Sequence, residues 1–235
     1  MAAVDREFAH PEFLVDAAWV AAHLEDPNLV VVDTDVEPAY TRGHIPGAGL
    51  VPDNFEKDPD TNRVHILPPQ KFAAMAEGLG IGDNSLVIAY DNSQSLYAAR
   101  LWWALNYYGH PNVKVLDGGW RRWVKEGRVI SFDRPRPAGR VKFTSRLDQS
   151  WMSTGDELKG CCNLSDVVVW DVRSTGEYTG AETRGNKRAG HIPGAIHLEW
   201  NNLMDRETHR FKAPSEIRRI LAEKGITADK EVHSY

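Results

Sequence analysis

The stretch that decides the fold is Gly43–Ala48, which reads Gly-His-Ile-Pro-Gly-Ala, because the same six residues return at Gly190–Ala195. Each copy of this turn motif follows a short apolar run that ends in aspartate. These runs are Leu29–Asp33 before the first turn and Val167–Asp171 before the second. A strand-like run followed by the same turn, found twice in one chain, indicates that one structural unit is repeated.

A third landmark extends the repeat beyond the turn motif. Gly80–Tyr90 begins with Gly-Ile and ends with tyrosine after an apolar run, and Gly225–Tyr235 has the same pattern. The chain has 235 residues, enough for two domains of about 100 to 150 residues each. We predict a first domain over 1–130 and a second over 151–235. Proline and glycine break the periodicity between them, so 131–150 is predicted to be a linker.

Strands and helices alternate in the first copy. Apolar periodicity predicts helices over Pro69–Leu79 and Ser95–Tyr108, strands over Ser85–Tyr90 and Val113–Leu116, and a further helix beginning at Gly118. This alternation predicts an α/β fold in which each domain is a mostly parallel sheet with helices on both faces. Functional sites in such sheets lie at the carboxyl ends of the strands. The loop after the middle strand is therefore the candidate site.

Composition excludes several classes of protein. The chain is 42% hydrophobic and 26% charged, and it has no apolar run near the roughly 20 residues of a membrane span. Its N-terminus has no secretory pattern, so we expect a cytoplasmic protein without a membrane partner. A formal charge of -5 argues against binding nucleic acid. We interpret the neighbouring Cys161 and Cys162 as packing or surface thiols. We predict no metal, because His44 and His191 lack a second ligand at zinc spacing.

The combined motifs resemble those of a known family. An aspartate-ended strand, the repeated turn, a tyrosine-ended strand and Leu116–Trp120, which reads Leu-Asp-Gly-Gly-Trp, resemble the tandem rhodanese family over nearly the whole chain. This family contains thiosulfate and 3-mercaptopyruvate sulfurtransferases. The resemblance implies two rhodanese-like domains, no cofactor, and a cysteine that starts the loop after the central strand of the second domain. That cysteine takes a sulfane sulfur as a persulfide and passes it to cyanide or a thiol. Amides of the loop and of the following helix favour a thiolate there.

The position of this cysteine differs between the two copies. In the first copy Asp91 follows Tyr90 and cannot form a persulfide, so we expect a degenerate, non-catalytic site. In the second copy the equivalent position comes immediately after Tyr235, and we expect the cysteine there. The second domain is then incomplete in this chain, which we expect to be inactive alone and to have the remaining C-terminal segment of the same protein as a partner.

Several charged residues of the second copy are candidate site residues. The family resemblance implies an arginine that contacts the donor anion, and Arg184 and Arg188 lie near its place. Asp171 and Arg173 end the first strand, where they could support the loop by ionic hydrogen bonds or form a structural pair. Glu177 stands where the mercaptopyruvate branch has an arginine, which favours thiosulfate as the donor.

The expected activity is therefore that of a thiosulfate sulfurtransferase, with a small anionic sulfur donor and a thiol or cyanide acceptor as partners. Three alternatives remain open. The donor could be 3-mercaptopyruvate, or the domain could be a non-catalytic sulfur carrier or regulatory module if the residue after Tyr235 is not cysteine. A phosphatase would follow from a loop one residue longer.

Overall fold

The computed structural model separates the chain into two compact units. The first comprises the residues up to 151 together with Glu207–Arg210, and the second comprises Met152–Arg206 and Phe211–Tyr235. The structure describes residues 7–53, 55, 57–58, 63–64, 66–133 and 139–235. Within these residues, none of the helices has the length and apolar character that crossing a membrane requires.

The first unit alternates strands and helices, as expected from the sequence. Its elements are β1 (Leu14–Val15), α1 (Ala17–His23), β2 (Leu29–Asp33), α2 (Glu37–Thr41), β3 (Gly49–Leu50), β4 (Lys57–Asp58), β5 (Arg63–Val64), α3 (Pro69–Gly78), β6 (Leu86–Tyr90), α4 (Leu96–Tyr107), β7 (Val113–Leu116) and α5 (Gly119–Lys125). Helix α1 begins where Asp16 accepts a hydrogen bond from the Trp19 amide at 2.7 Å, which satisfies one free donor of the first turn.

Five of these strands form one parallel sheet in the order β1-β7-β6-β2-β3. The central strand β6 divides the core between the two faces of the sheet. Val87 and Ala89 pack into one apolar cluster with residues of α3 and α4, whereas Ile88 and Tyr90 pack into another with residues of α1 and α5. The alternation follows from the two-residue period of a strand. The predicted parallel sheet with helices on both faces is confirmed.

The second unit repeats the beginning of this arrangement. It contains α6 (Gly155–Cys161), β8 (Val167–Asp171), α7 (Thr175–Thr179), β9 (Ile196–His197), α8 (Pro214–Glu223) and β10 (Glu231–Ser234). The three strands are parallel in the order β10-β8-β9. Strand β6 of the first unit is paired on both sides, whereas β10 is paired with β8 alone among the described residues. The core is correspondingly small and centres on Val168, Leu198 and Ile226.

Element boundaries differ from the predicted ones by a residue, as at α3 and α4. In the predicted linker 131–150, residues 134–138 lie outside the described part of the chain. Thr144 donates from its amide to Asp83 at 2.6 Å, and the Arg146 amide donates to the Tyr108 carbonyl at 2.9 Å. Backbone bonds of this kind satisfy polar groups along the connection. Residues 139–150 of the predicted linker therefore pack against the first unit.

Candidate functional site

The candidate site of each unit lies where two neighbouring parallel strands end. In the first unit Asp33 pairs with Tyr90 in the register of β2 and β6, so Asp91 follows at the tip of the sheet. In the second unit the Tyr235 amide donates to the Trp170 carbonyl at 3.1 Å, which continues the pairing of β10 with β8. Tyr90 and Tyr235 therefore hold equivalent places in the two sheets.

Each of these tyrosines ties its strand to the repeated turn motif. The Tyr90 hydroxyl accepts a hydrogen bond from the Ile45 amide at 3.1 Å. The Tyr235 hydroxyl accepts one from the Ile192 amide at 3.0 Å. Burial raises the pKa of both tyrosines, so both hydroxyls stay protonated at neutral pH. The two motifs found in the sequence are thus parts of one structure.

The histidines of the turn motif brace the backbone. His44 is buried, donates from Nδ1 to the Tyr40 carbonyl at 3.1 Å and stacks on the Tyr40 ring with centroids 3.9 Å apart. His191 makes the same two contacts with Tyr178, at 2.8 Å and 3.8 Å. A carbonyl oxygen can only accept, which fixes the proton on Nδ1. Each imidazole therefore fixes the backbone at the start of its turn motif to the tyrosine that precedes it.

In the first unit the loop after β6 binds its own side chain. The buried Asp91 carboxylate accepts four backbone hydrogen bonds. One oxygen accepts from the amides of Ser93 and Ser95, both at 2.8 Å. The other accepts from the amides of Tyr97 and Ala98, both at 2.9 Å. These amides belong to the loop and to the first turn of α4, where a helix N-terminus favours negative charge. The anion-binding end of this loop is therefore filled from within.

A glycine from the Leu-Asp-Gly-Gly-Trp segment allows this loop to pack closely. Gly119 has a φ of +50°, and a Cβ atom on it would lie 2.1 Å from the Asp91 carbonyl oxygen. The same carbonyl accepts a hydrogen bond from the Trp120 amide at 2.8 Å. A side chain at this position would collide with the loop. Close packing against the Asp91 backbone therefore explains why the second glycine of the segment, Gly119, has no side chain.

Two further carboxylates flank Asp91. Asp33 is 3% exposed, and burial raises its pKa. Asp35 accepts a hydrogen bond from the Asn92 amide at 2.8 Å, and burial together with the charge of Asp33 raises the pKa of Asp35 to about 6. Three carboxyl groups around one loop repel a small anion such as a sulfur donor. The strand tip of the first unit therefore disfavours the binding of an anionic sulfur donor.

The second unit has an ion pair at the corresponding place. Asp171 is fully buried, and its two oxygens accept from Arg173 Nε at 2.9 Å and from Nη2 at 2.5 Å. Burial alone would raise the pKa of Asp171, but the hydrogen bonds and charge of Arg173 outweigh it and lower that pKa below its ordinary value. The pKa of Arg173 is raised in turn, chiefly by its hydrogen bonds to Asp171. The pair is bidentate, which fixes the plane of the guanidinium.

The guanidinium of Arg173 also reaches the end of the central strand. Its centre lies 4.9 Å from the centroid of the Tyr235 ring, and Nη2 donates to the Gly190 carbonyl at 3.0 Å. Contact between a cation and an aromatic face is favourable when both are partly withdrawn from water. Arg173 thus connects the first strand, the turn motif and the strand tip of this unit. Of the predicted site residues, the structure brings Asp171 and Arg173 together.

The two arginines assigned to the donor lie in a more exposed segment. Arg184 Nε lies 3.3 Å from Glu177 Oε2 and 4.0 Å from Glu182 Oε2, and the Arg184 side chain is 65% exposed. Glu177 also closes a capping box with Ser174 at the start of α7. Arg188 is exposed in the same segment. The residue that departs from the mercaptopyruvate pattern, Glu177, is therefore a contact of Arg184.

Sequence reasoning missed the charge difference between the two strand tips. Asp35 and Arg173 both come two residues after the aspartate that ends their strand, and each donates its amide to that aspartate, at 2.9 Å to Asp33 and at 3.0 Å to Asp171. Aligning the two copies on the strand-ending aspartates would have shown an acid in one copy and a base in the other.

Comparison with protein families supports the resemblance of the combined sequence motifs. Residues 16–126 and 154–233 match the Rhodanese-like domain. The chain is 34% identical to the sulfur carrier protein TtuD of Thermus thermophilus, covering 97% of this chain and 83% of that protein. It is 32% identical to a thiosulfate sulfurtransferase of Azotobacter vinelandii, covering 96% of this chain and 83% of that protein.

Solved structures support the fold. The 3-mercaptopyruvate sulfotransferase SseA of Escherichia coli superimposes with a TM-score of 0.85 at 23% identity, covering 94% of this chain and 87% of that chain. The superposition, the two matched segments and the two relatives confirm the predicted fold class and family. The chain therefore belongs to the rhodanese family, with two rhodanese-like domains in tandem.

Proposed function

We propose that this protein is a sulfurtransferase that moves a sulfane sulfur from thiosulfate to cyanide or a thiol acceptor through a cysteine persulfide. The reacting cysteine is placed directly after Tyr235, at the tip of the central strand of the second domain. The observation that carries the proposal is the ion pair of Asp171 and Arg173, which holds a cation beside Tyr235. The relative from Azotobacter vinelandii, itself a thiosulfate sulfurtransferase, supports the choice of reaction.

The first step forms the persulfide. The cysteine thiolate attacks the outer sulfur of thiosulfate, the sulfur–sulfur bond of thiosulfate breaks, and sulfite leaves with the electron pair. Both the donor and the leaving group are anions, so a fixed cation near the strand tip stabilises their approach and the developing charge. In this proposal Arg173 supplies that field and supports the loop, while Arg184 and Arg188 attract the donor from the exposed segment.

The second step returns the enzyme to its starting state. Cyanide or a thiolate attacks the outer sulfur of the persulfide, the new bond forms at that sulfur, and the cysteine thiolate leaves. With cyanide the product is thiocyanate. No net oxidant or reductant is consumed, and no cofactor is required. Loop amides that follow the cysteine would stabilise its thiolate as the leaving group. The corresponding amides of the first domain donate to the Asp91 carboxylate in the same way.

The first domain has no part in sulfur transfer under this proposal. Asp91 takes the position of the nucleophile and satisfies the loop amides itself. Cys161, the last residue of α6, and Cys162, which follows it, do not lie at a strand tip, so neither should support cyanide-dependent activity. We propose that the protein acts in the cytoplasm.

A direct experiment is the thiosulfate–cyanide assay on the intact protein. We compare the unchanged protein, a variant with serine in place of the residue after Tyr235, and Arg173→Gln. The serine variant should have no activity, and Arg173→Gln should lower kcat/KM for thiosulfate about 100-fold, equivalent to about 2.7 kcal/mol. Arg184→Gln is the matched control in an exposed position and should cost less than about tenfold. Full activity in the serine variant would contradict the proposal.

A sulfur-carrier role is the second candidate, because the relative from Thermus thermophilus is a sulfur carrier protein. A carrier holds the persulfide stably and passes it to a protein acceptor, so it needs the same cysteine but little turnover with cyanide. Trapping the persulfide by mass spectrometry while turnover is slow would favour the carrier. A higher rate with 3-mercaptopyruvate than with thiosulfate would instead favour that donor.

A further inference from the structure

The imidazole of His197, on the short strand β9, contacts the backbone of Arg173. Its Nε2 donates to the Arg173 carbonyl oxygen at 3.0 Å, and since a carbonyl oxygen only accepts, Nε2 carries the hydrogen of this bond. The His197 ring also stacks on the Tyr178 ring, with centroids 4.5 Å apart and planes 17° from parallel. This side chain is therefore joined to α7 by a ring contact and to the arginine of the ion pair by a hydrogen bond.

The bond completes a set of contacts that fixes the backbone on both sides of the Arg173 Cα atom. The Arg173 amide donates to Asp171 Oδ1 at 3.0 Å. The preceding residue, Val172, donates its amide to the Tyr235 carbonyl and accepts from the Trp200 amide, both at 3.1 Å. Because the peptide groups before and after the Cα atom are held, the direction in which the Arg173 side chain leaves the backbone is set.

The fold does not require a histidine at this position. His197 pairs with Asp171 in the register of β9 and β8, and Leu50 pairs with Asp33 in the same way in the first unit. A leucine side chain has no donor, so it cannot bind the carbonyl oxygen of Asp35, the residue that corresponds to the arginine. The donor is therefore present in the unit whose strand tip has a cation, and an apolar side chain replaces it in the unit whose strand tip is acidic.

We propose that His197 is a positioning residue for sulfur transfer, which fixes the backbone of Arg173 so that its guanidinium stays bidentate on Asp171 and in contact with the Tyr235 ring. The inference rests on the proposed function, in which this guanidinium supplies the positive field for the anionic donor and for the leaving sulfite. Displacing such a group by about 1 Å can lower a rate by up to about 100-fold, because the field acts only where charge develops. His197 thus acts through Arg173 and not on the reacting atoms.

Substitutions at position 197 can separate the hydrogen bond from the ring contact. His197→Gln keeps a donor, because the glutamine amide nitrogen can take the place of Nε2, but it loses the stack on Tyr178. His197→Phe keeps a ring on Tyr178 and loses the donor. His197→Leu also loses the donor and introduces the residue type that the first unit has at the equivalent position. It gives a second variant without a donor if the larger ring of phenylalanine does not fit.

His23, in α1 of the first unit, offers a matched control because its imidazole makes the same two kinds of contact. Its Nδ1 donates to the Trp19 carbonyl at 2.7 Å, and its ring stacks on the Trp19 ring with centroids 3.9 Å apart. His23→Phe therefore removes a donor and keeps a stacked ring without touching the ion pair. This variant should have the same kcat/KM for thiosulfate as the unchanged protein.

The first measurement is kcat/KM for thiosulfate in the thiosulfate–cyanide assay on the intact protein. His197→Phe and His197→Leu should lower it about tenfold, whereas His197→Gln should stay within about twofold of the unchanged protein. In the Arg173→Gln background, His197→Leu should cause no further loss, since its effect passes through the guanidinium. A further loss of about tenfold in the double variant, or equal losses in His197→Gln and His197→Phe, would overturn the proposal.

The second measurement does not depend on activity. In protein that contains isotopically labelled arginine, the Nε–H signal of Arg173 is identified by its disappearance in Arg173→Gln, and its exchange with water reports how often the ion pair opens. Exchange should be about tenfold faster in His197→Phe and His197→Leu than in His197→Gln and the unchanged protein. Equal exchange in all four proteins would overturn the role of His197. Absence of activity in the unchanged protein would instead contradict the proposed function, and the exchange rates would still decide the role of His197.

Discussion

The two strand tips are built on the same backbone and have opposite charge. In the first unit Asp33, Asp35 and Asp91 surround a loop that is saturated by its own carboxylate. In the second unit Asp171 binds Arg173, and the guanidinium lies against Tyr235. The tyrosine and the turn motif are common to both units, so the two strand tips share a backbone arrangement and differ in the charge of the side chains around it. Charge at the strand tip, more than fold, therefore distinguishes the two domains.

The comparison also shows how a loop that lacks a nucleophile stays folded. Loop amides that converge on one point must be satisfied by a bound anion, by water or by a side chain. Asp91 provides the side chain, and its four hydrogen bonds replace what a bound anion would supply. We expect the first domain to depend on this carboxylate for stability. The second strand tip depends instead on a buried ion pair, and the two can be broken separately.

The largest effect is expected from Asp91→Ala. This substitution leaves four loop amides without an acceptor in a buried place, so the free energy of unfolding of the first domain should fall by about 4 kcal/mol. Urea denaturation followed by tryptophan fluorescence measures this loss. Asp148→Ala is the control, because that exposed carboxylate accepts from the Ser150 amide in contact with water, and its loss of stability should be much smaller. A loss below about 1 kcal/mol for Asp91→Ala would contradict the role of the carboxylate.

The next effect separates the two strand-ending aspartates. Asp171→Asn removes one partner of a buried ion pair and should lower the free energy of unfolding of the second domain by about 3 kcal/mol in the intact protein. Asp33→Asn keeps an acceptor for the Asp35 amide and removes a carboxyl whose pKa is raised by burial, so it should cost less than about 0.5 kcal/mol.

The pH dependence of Asp171 gives an independent check on the same pair. Its pKa is lowered in the folded state, so the stability that it contributes is complete above the ordinary aspartate pKa of about 3.9. This stability is lost as the pH falls further, through the lowered pKa. The difference between Asp171→Asn and the unchanged protein should therefore shrink in acid. A difference that is constant from neutral pH to the acid limit would contradict the ion pair.

A third comparison concerns the two tyrosine hydroxyls. Tyr90→Phe removes the acceptor of the Ile45 amide in a fully buried place and should cost about 2 kcal/mol. Tyr235→Phe removes the acceptor of the Ile192 amide where water has access, and should cost about 1 kcal/mol. Denaturation of each variant measures the loss. Equal costs would mean that burial does not set the value of this bond.

The sequence predicted where the strands and the turn motif of both sites lie, but not how the side chains at the strand tips are arranged. Apolar runs ending in Asp33 and Asp171, and the repeated turn, predicted the strands and their tips because these signals are local. The inward turn of Asp91 was not predicted. It depends on Gln94 and Ser95 taking left-handed backbone conformations, with φ of 57° and 65°, for which neither residue type gives a signal. Such a turn is set by the loop amides that the carboxylate satisfies.

The sequence also did not predict which acidic residue each arginine contacts. Arg184 was assigned to the donor from its place in the chain, and this assignment stays a proposal. In the structure the carboxylate that contacts it is Glu177, which in the sequence is only a departure from the mercaptopyruvate pattern. Which of several nearby acids a long side chain meets depends on the path of the connecting segment. Arg173 was easier to place, because it lies two residues after the strand that fixes its position.

The smallest effect tests the sign of the charge at Asp35. Its pKa is about 6 in the folded state, above the ordinary value of about 3.9, so the folded protein binds this proton more tightly than the unfolded chain does. Stability should therefore fall as the pH rises through the window from about 4 to about 6. Asn at this position keeps an acceptor for the Asn92 amide and removes the charge. Since part of this carboxyl group contacts water, Asp35→Asn should raise the free energy of unfolding at pH 7 by only about 1 kcal/mol.

The gain should vanish below about pH 4, where Asp35 is protonated in both states. Asp83→Asn makes the opposite control. Hydrogen bonds from Thr144 lower the pKa of Asp83, so this substitution should destabilise the protein at pH 7 and lose its effect in acid. Denaturation at pH 7 and at a pH well below the ordinary aspartate pKa of about 3.9 distinguishes the two substitutions. A loss of stability at pH 7 for Asp35→Asn would mean that the Asn92 hydrogen bond outweighs repulsion from Asp33, and the first strand tip would then not be a site of unfavourable charge.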